Sequence, residues 1–429
     1  MERVKIGLVG FGTVGSSLYQ LLEANGQRFA RRLGVRIEVA KIGVKDTKKK
    51  RPFAPPGRFV QGYSEIIADA EIPIVVELVG GVDVAHDVIR SALLARKHVI
   101  TANKALLSLY GNELFRLARR QGVELKFEAS VCGGIPIIKV IRESLLGNRI
   151  KRILGIVNGT TNYILTRMSE EAKSFQEALR EAQSQGFAET DPTLDVEGID
   201  ASQKISLLAS IAFGQWVDYR QVLSEGISGI TEKEIQFAKF AGFTFKLIAA
   251  AEWLDGRPAV TVFPALLPQE HPLAAIRGEN NAVYVDTDFL GTSVYAGKGA
   301  GGPPTASAVA SDVGDLVQHI VLGSKSNRDK LEPFLQGELY PHQEISYRYF
   351  FHFITANRPG IWATVTGRLA ENGINIESVH QKWEDKSKPS DLYILVDPAK
   401  ERQAGKAMRE ITAAEGISDR SVFYRILLL

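Results

Sequence analysis

The sequence is poor in the residues that form disulfides and metal clusters. Its 429 residues include one cysteine, Cys132, and seven histidines. A single cysteine cannot form an internal disulfide, and the scattered histidines leave no Cys/His cluster for a metal such as zinc. A disulfide-stapled fold and a Cys/His metal centre are therefore excluded.

The sequence also lacks an excess of charge and a long apolar run. Its 52 basic and 49 acidic residues give a formal net charge of +3, too even a balance to indicate nucleic-acid or membrane-surface binding. No apolar stretch approaches the ~20 residues that span a bilayer, and the apolar start at 4–9 contains Lys5 and Gly7 rather than a signal-peptide core. We therefore expect a cytoplasmic protein with no nucleic-acid and no membrane partner.

The composition is that of an ordinary globular protein, and the chain length suggests about three domains. Residues 1–134 alternate short β-rich runs with helical runs, which is typical of a parallel sheet wrapped by helices. We predict a Rossmann-type, doubly wound α/β domain there. Its predicted strands are Val4–Val9, Arg36–Val44, Ile74–Leu78, His98–Thr101 and Glu124–Phe127, and its predicted helices lie near 13–32, 83–96 and 105–121.

The alternation is lost beyond residue 135, so we predict an α+β substrate domain over 135–322. Its predicted helices are 168–185, 199–213, 231–241 and 305–322, the last expected to pack back on the first domain, and its predicted strands include Ala259–Phe263 and Ala282–Thr287. The polar stretch 323–346 is interpreted as a linker. Residues 347–429 follow the order β-α-β-β-α-β, which predicts a ferredoxin-like unit.

A glycine triplet lies between the first predicted strand and the first predicted helix. Such glycines allow a tight turn and bring backbone amides against a pyrophosphate at a helix N-terminus. A lone triplet is often just a turn, but the strand-to-helix context favours dinucleotide binding. The predicted cofactor contacts in this segment are Gly10, Phe11, Gly12, Thr13, Val14 and Gly15.

A basic run, 45–51, follows the second predicted strand, where a lone acidic residue would bind a ribose 2′-hydroxyl. Its lysines suit a 2′-phosphate, so we predict a preference for NADP(H), with Lys45 as a contact. Charge runs are also common on solvated surfaces, and Asp46 within the run could still serve NAD(H).

Two lysines are candidates for the chemistry. Lys104 ends the segment Thr101-Ala102-Asn103-Lys104 at the carboxyl end of a strand, where ligands bind in open parallel sheets, although a solvent-facing lysine at a helix start is the ordinary alternative. The second segment, 189–200, holds five carboxylates and precedes a helix on which Asp200 and Lys204 are four residues apart. An exposed ion pair is the simplest interpretation, but the apolar neighbours of Lys204 indicate a packed helix, where a lysine beside carboxylates can donate a proton.

These motifs, together with 128–136 and 158–163, closely resemble those of homoserine dehydrogenases, in order over residues 4 to 320. The resemblance implies the NAD(P)H-dependent, reversible reduction of L-aspartate 4-semialdehyde to L-homoserine in threonine, methionine and isoleucine biosynthesis. It implies that Lys204 is the proton donor and that Lys104 is a second essential lysine near substrate and nicotinamide, with Thr101 also contacting the cofactor. The substrate-binding residues that it implies are Glu189, Asp200, Thr160 and Asp195.

The resemblance also assigns two glycine-rich segments. It implies a monovalent cation site, usually for sodium, made largely of backbone carbonyls, and oxygen ligands of this kind suit a hard cation. The residues matched to that site are Glu128, Val131, Gly133 and Ile135. Segment 297–307 matches a family segment that returns to the cofactor, with Gly302 as the candidate contact, and Cys132 is interpreted as a small buried hydrophobe.

Residues 347–429 resemble an ACT domain, the small amino-acid-sensing module, through 356–362 and 373–379. This resemblance implies allosteric inhibition by L-threonine and a homodimer or homotetramer. Asn357 stands where that family usually has aspartate, and Trp362 stands where a small aliphatic residue is usual. A module that only dimerises is the alternative.

Other functions fit the residues less well. An ACT-tailed 2-hydroxy-acid dehydrogenase needs a histidine–carboxylate pair, which His86 and His98 do not provide. An aspartate-semialdehyde dehydrogenase needs a thiol nucleophile with a base, a context that Cys132 lacks. A non-catalytic, amino-acid-sensing regulator would not need both lysines and the acidic segment.

Overall fold

Parallel strands form the core of the N-terminal domain. The computed structural model describes residues 2–51, 53, 55–323, 334–382 and 389–428. The first sheet has six parallel strands in the order β3-β2-β1-β4-β5-β6, the doubly wound arrangement that the sequence predicts. These strands are β1 (Arg3–Val9), β2 (Arg36–Val44), β3 (Phe59–Gln61), β4 (Ile74–Glu77), β5 (His98–Thr101) and β6 (Leu125–Lys126).

Five helices join these strands: α1 (Thr13–Ala24), α2 (Gly26–Leu33), α3 (Ser64–Ala68), α4 (Asp83–Leu94) and α5 (Lys104–Gln121). The structure divides the single helix predicted over 13–32 at Asn25, where φ is −104° and ψ is 12°. Asn25 and Gly26 both have low helix propensity, which explains the break at this point. The short β3 and α3 were not predicted.

The second domain combines helices with a mixed sheet. Its elements are α6 (Ile137–Lys139), β7 (Ile150–Ile156), α7 (Gly159–Glu171), α8 (Phe175–Ser184), α9 (Thr193–Val196), α10 (Ile199–Phe213), β8 (Leu223–Ser224), α11 (Glu232–Phe240), β9 (Phe243–Leu254), β10 (Arg257–Pro268), β11 (Asn280–Thr287), β12 (Thr292–Lys298) and α12 (Gly302–Leu322). The helix predicted over 168–185 is wrong as one element, because Ala172 is left-handed (φ 52°) and Ser174 starts α8 with a capping box. Helix α12 packs against α1 of the first domain, where Leu18, Val309 and Val313 share one apolar core.

The C-terminal unit has the β-α-β-β-α-β order that the sequence predicts. Its elements are β13 (Ser346–Thr355), α13 (Ile361–Glu371), β14 (Ile376–Lys382), β15 (Ser390–Lys400), α14 (Glu401–Thr412) and β16 (Val422–Ile426). Its four strands lie in the order β16-β13-β15-β14, and β16 pairs in parallel with β10, so that this unit extends the sheet of the second domain. Of the predicted linker, residues 324–333 lie outside the described residues, whereas Leu335 pairs with Gly214 and Trp216.

None of the described helices is long and apolar enough to cross a bilayer.

A buried arginine joins the C-terminal unit to the second domain. Arg425 on β16 is 1% exposed and forms a two-pronged ion pair with Glu225, with N···O distances of 2.6 and 2.7 Å. Its Nε and Nη2 also donate to Glu401 at the start of α14, at 2.9 and 2.5 Å. One guanidinium therefore neutralises two carboxylates where the chain's last strand meets β10.

We predict that Arg425→Met destabilises the protein by about 3–5 kcal/mol, the cost of breaking a buried ion pair, because the Glu401 carboxylate is only 11% exposed and would lose its counter-ion. The measurement is the free energy of unfolding from urea denaturation. Arg358→Met is the control, because Arg358 pairs with Glu415 at the surface and such pairs contribute only ~0.2–1 kcal/mol. If both variants lost the same free energy of unfolding, Arg425 would contribute no more to stability than a surface ion pair, contrary to this prediction.

Candidate active site

The glycine loop lies between β1 and α1, and two of its glycines make close backbone contacts. Gly10 has φ +98°, and a Cβ there would lie 2.5 Å from the carbonyl oxygen of Leu78. A Cβ on Gly15 would lie 2.3 Å from the carbonyl oxygen of Gly10. A Cβ on Gly12 would have no described atom within 4 Å, so this position faces open space at the N-terminus of α1. The loop therefore has the shape of a pyrophosphate cradle.

The other residues of this loop and the late glycine segment surround the same helix start. Thr13 and Val14 begin α1, and the ring of Phe11 packs edge-on against Phe59 with centroids 5.3 Å apart. Gly302 begins α12, and a Cβ there would lie 2.6 Å from Ser17 Oγ. The structure thus brings Gly302 against the first turns of α1.

The basic run lies exposed at the end of β2. Lys45 is exposed directly after Val44, and Asp46 is used locally, since its Oδ1 accepts the Lys48 amide at 2.8 Å. Arg51 donates to the Asp46 carbonyl at 2.8 Å and lies over the Phe59 ring, 4.8 Å from its centroid. The loop therefore carries its positive charge beside Phe59, the ring that contacts Phe11 of the glycine loop.

A buried charge cluster lies where the first two domains meet. Lys204 Nζ is 2.7 Å from Asp200 Oδ2 and 2.7 Å from the carbonyl oxygen of Val157. Lys104, the first residue of α5, places its Nζ 3.2 Å from the other oxygen of Asp200. One carboxylate on α10 thus holds a lysine from each domain, and the exposed ion pair considered for Asp200 and Lys204 is instead a buried one.

Asp200 and the two lysines determine the charge states of this cluster. Burial alone would raise the pKa of Asp200, but Lys204 and then Lys104 outweigh it and lower that pKa to about 2. Burial alone would lower the pKa of Lys204, but Asp200, Cys132 and Asp195 raise it above its ordinary value. At neutral pH the pair is therefore a carboxylate and an ammonium.

Asn158 links this pair to a second acid. Its Nδ2 lies 2.6 Å from Asp195 Oδ1 and 2.9 Å from Asp200 Oδ2, while its Oδ1 caps α7 by accepting the Thr161 amide. Burial raises the pKa of Asp195, opposed by the bond from Asn158. Asn158 was not among the predicted site residues, and its place in the segment 158–163 was the available signal.

The remaining predicted substrate residues differ in position. Thr160 is buried, and its Oγ1 donates to the carbonyl oxygen of Phe187 at 2.6 Å. Glu189 is exposed, and its backbone carbonyl accepts Gln183 Nε2 at 3.1 Å. The structure therefore brings Asp195 and Asp200 into the lysine cluster and leaves the Glu189 carboxylate at the surface.

The predicted cation loop is curled and buried. Cys132 and Gly133 are left-handed in succession, with φ of 53° and 43°, and Cys132 is fully buried as the sequence predicts. Burial raises the pKa of the Cys132 thiol to about 11, so it is inert as a nucleophile at neutral pH. A Cβ on Gly133 would lie 2.6 Å from the carbonyl oxygen of Gly299, so this loop and the late glycine segment touch.

Two acidic residues beside this loop, Glu128 and Asp312, supply hard oxygen atoms. The Glu128 carboxylate accepts the amides of Ile138 and Lys139 at 2.9 and 2.8 Å, and the Glu128 amide donates to Asp312 on α12 at 2.9 Å. Burial, and then Asp312, raise the pKa of Glu128 to about 7, and burial raises the pKa of Asp312 to about 6. The Ile135 carbonyl already accepts the Ile137 amide at 2.8 Å, which leaves one of its two lone pairs for another partner.

Asn281 on β11 is a second residue that the sequence analysis missed. Its Nδ2 donates 2.9 Å to the Val157 carbonyl, the same oxygen that accepts from Lys204. A Cβ on Gly299 would lie 2.1 Å from the Asn281 side chain, so the amide packs directly beneath the late glycine segment. Asn281 therefore ties the Lys204 site to the segment that leads to Gly302.

Comparisons with known proteins identify the family of the chain. Residues 136–313 match the family model for homoserine dehydrogenase, and residues 10–128 match the model for the homoserine dehydrogenase NAD-binding domain. The curated homoserine dehydrogenase of Pseudomonas aeruginosa is 38% identical over 99% of both chains.

Two solved structures extend the comparison. A crystal structure of a homoserine dehydrogenase from Thiobacillus denitrificans is 35% identical with a TM-score of 0.93, covering 100% of this chain and 99% of that one. A hyperthermophilic archaeal homoserine dehydrogenase in complex with NADPH is 30% identical with a TM-score of 0.64, covering 77% of this chain and 100% of that one. The chain has a glycine loop of the dinucleotide-binding type and two lysines that meet one buried aspartate, and relatives match it over nearly its whole length. It therefore belongs to the homoserine dehydrogenase family of oxidoreductases.

Proposed function

We propose that this chain interconverts L-aspartate 4-semialdehyde and L-homoserine with NADP(H), using Lys204 as the proton donor and acceptor. The convergence of Lys204 and Lys104 on Asp200, at the carboxyl end of the cofactor-domain sheet, carries this proposal. When bound, the cofactor supplies or accepts the hydride. Proton transfer and substrate binding are the work of the chain's own side chains.

Lys204 suits the proton transfer. Reduction of an aldehyde places negative charge on its oxygen, so a nearby ammonium stabilises that charge and delivers a proton. The raised pKa of Lys204 keeps this group protonated, and Val157 O and Asp200 occupy two of its three N–H donors. The third N–H is the one proposed to meet the substrate oxygen, and in homoserine oxidation the same nitrogen takes the proton back.

The substrate is an amino acid, so it needs acceptors for its ammonium and donors for its carboxylate. We assign the ammonium to Asp195 and Asp200, with Thr160 nearby and Glu189 approaching from the surface segment. Lys104, whose side chain is 37% exposed, is assigned to the reacting end of the substrate and the nicotinamide beside Thr101.

We expect Lys204→Ala to reduce the rate of homoserine oxidation by about 10²–10⁴-fold, the usual contribution of a positioned acid–base group. The assay follows NADPH absorbance at 340 nm with homoserine and NADP. Lys151→Ala, a change to an exposed lysine on β7, is the control and should keep the wild-type rate. An inactive wild type would contradict the proposed reaction, and a fully active Lys204→Ala would contradict the proton transfer assigned to Lys204.

We assign the cofactor pyrophosphate to residues 10–15 and Gly302, and the 2′-phosphate of NADP(H) to Lys45. The exposed lysines after β2 support this assignment, as does the local use of Asp46, whose Oδ1 accepts the Lys48 amide.

The ratio of kcat/KM for NADPH over NADH tests the cofactor assignment. We expect a ratio above one in the wild type and a several-fold fall in Lys45→Ala, through KM for NADPH, because the substitution removes a charge from the phosphate and leaves NADH contacts intact. Lys151→Ala again serves as the control. A wild type that strongly prefers NADH would instead favour Asp46 as a ribose ligand.

We further assign a monovalent cation such as Na⁺ to the carbonyls of Val131, Gly133 and Ile135 with Glu128. The donors are hard oxygens, and because burial raises the pKa values of Glu128 and Asp312, a cation beside them would stabilise their ionised forms. When bound, the ion would stiffen the loop that packs against Gly299.

We assign the C-terminal unit as an ACT domain that binds L-threonine and joins subunits into a dimer or tetramer. Trp362 follows Gly360 at the start of α13, is 43% exposed, and donates from Nε1 to Gln381 Oε1 on β14 at 3.0 Å. β14 is the edge strand of the large sheet, so its outer side is available for pairing with another copy.

L-Threonine at millimolar concentration is expected to lower the forward rate, because an effector held near Trp362 and β14 acts on a sheet continuous with β10. The measurement is a titration of the rate against L-threonine, with D-threonine as the control. No inhibition at millimolar L-threonine would leave a purely dimerising role for the unit.

A further inference from the structure

Two neighbouring strands of the cofactor-domain sheet end on one side-chain pair. Glu77 and Thr101 are the last residues in register between β4 and β5, and both are fully buried. Thr101 Oγ1 donates to Glu77 Oε2 at 2.6 Å, and the backbone amide of Val79 donates to Glu77 Oε1 at 2.6 Å. Each oxygen of one carboxylate therefore holds one of the two segments that leave the sheet.

These bonds close into a ring. Thr101 Oγ1 also accepts the backbone amide of Asn103 at 3.0 Å. Asn103 Nδ2 then donates to the carbonyl oxygen of Gly81 at 2.6 Å, which returns the ring to the segment held through Val79. The same Asn103 is the N-cap of α5, because its Oδ1 accepts the Leu106 amide at 3.1 Å.

Lys104 is the first residue of α5, so the ring sets where its side chain begins. From there Lys104 Nζ reaches Asp200 Oδ1 at 3.2 Å. Glu77 thus lies two hydrogen bonds from Asn103, the residue that precedes a lysine of the proposed active site. Nothing in it contacts Lys204, which is held separately by α10 and Val157.

Stability does not account for a carboxylate at this position. Burial raises the pKa of Glu77 to about 7, opposed by the bonds from Thr101 and Val79, and no charged group of the described residues contributes to the shift. Because the folded-state pKa is the higher one, the folded protein is stabilised by the protonated form. This contribution is lost as the pH rises from about 4.5 to 7. Above pH 7 an ionised Glu77 therefore costs stability.

We propose that Glu77 is a positioning residue for the reaction: its carboxylate holds Thr101 and the segment 79–81 so that α5 presents Lys104 to Asp200 and the substrate. The proposal rests on the role proposed for Lys104. A glutamine would keep the shape and the bond from Val79, but its amide would have to donate to the Thr101 hydroxyl instead of accepting from it, because an amide has one acceptor oxygen and one donor group. The bond from Thr101 to a charged acceptor would therefore be lost.

Glu77→Gln tests this inference. At pH 8 we expect kcat for homoserine oxidation to fall about tenfold, the scale of one buried hydrogen bond to a charged group. Over the same change the Tm should stay level or rise, since a buried charge is removed. Glu252→Gln is the matched control, because burial also raises the pKa of Glu252, which lies on β9 beside Arg152, and its kcat should not change.

A double-mutant cycle sharpens the test. Thr101→Val removes the hydroxyl that donates to Glu77, so Glu77→Gln/Thr101→Val should lose little more activity than the worse single variant. Full activity in Glu77→Gln, a fall in Tm that parallels the fall in kcat at pH 8, or additive losses in the cycle would each overturn the proposal. An inactive wild type would instead overturn the proposed function, so the two failures are distinguishable.

Discussion

The carboxylate of Asp200 is the interaction on which the site depends. It stands on α10 of the second domain, yet its two oxygens hold Lys204 from the same helix and Lys104 from the cofactor domain. A buried ammonium without its counter-ion is costly, so Lys204 keeps its place only while Asp200 is ionised, and the partly exposed Lys104 takes its counter-ion from the same carboxylate. The low pKa of Asp200 ensures this down to about pH 2, and the two domains are therefore joined by charge at the point where the proposed chemistry occurs.

Close backbone contacts set the rest of the geometry around this cluster. Gly10 and Gly15 allow the first loop to fold on itself, and Gly302 lets α12 approach α1. Gly133 and Gly299 bring the loop proposed to bind a cation and the late glycine segment together beside Asn281. Because a Cβ at any of these positions would lie within 2.1–2.6 Å of another atom, side chains there would push apart elements that the site needs together.

Part of the fold and of the site was predictable from the spacing of residues that are close in sequence. The glycine triplet between a strand and a helix, and the four-residue interval between Asp200 and Lys204, are features of a few consecutive residues, and the family model matches the segments that contain them. Asn158, Asn281 and Glu77 were not predicted because their partners are distant in sequence, as with Glu77 and Thr101 on different strands. The helix predicted over 168–185 was wrong because a single left-handed residue, Ala172, ends α7 without any proline or glycine to signal it.

The acids of the site fall into two electrostatic kinds, and this division bears on substrate binding. Asp200 is held ionised by two lysines, whereas Asp195 has its pKa raised by burial and lies against the amide of Asn158 rather than against a cation. A second positive charge beside Asp200 would meet Lys204 and Lys104, but beside Asp195 it would stabilise the ionised carboxylate and lower its pKa. In the proposed reaction Asp195 therefore contributes most to binding the substrate ammonium, and Asp200 combines its share of that binding with holding the lysines that serve the carbonyl end.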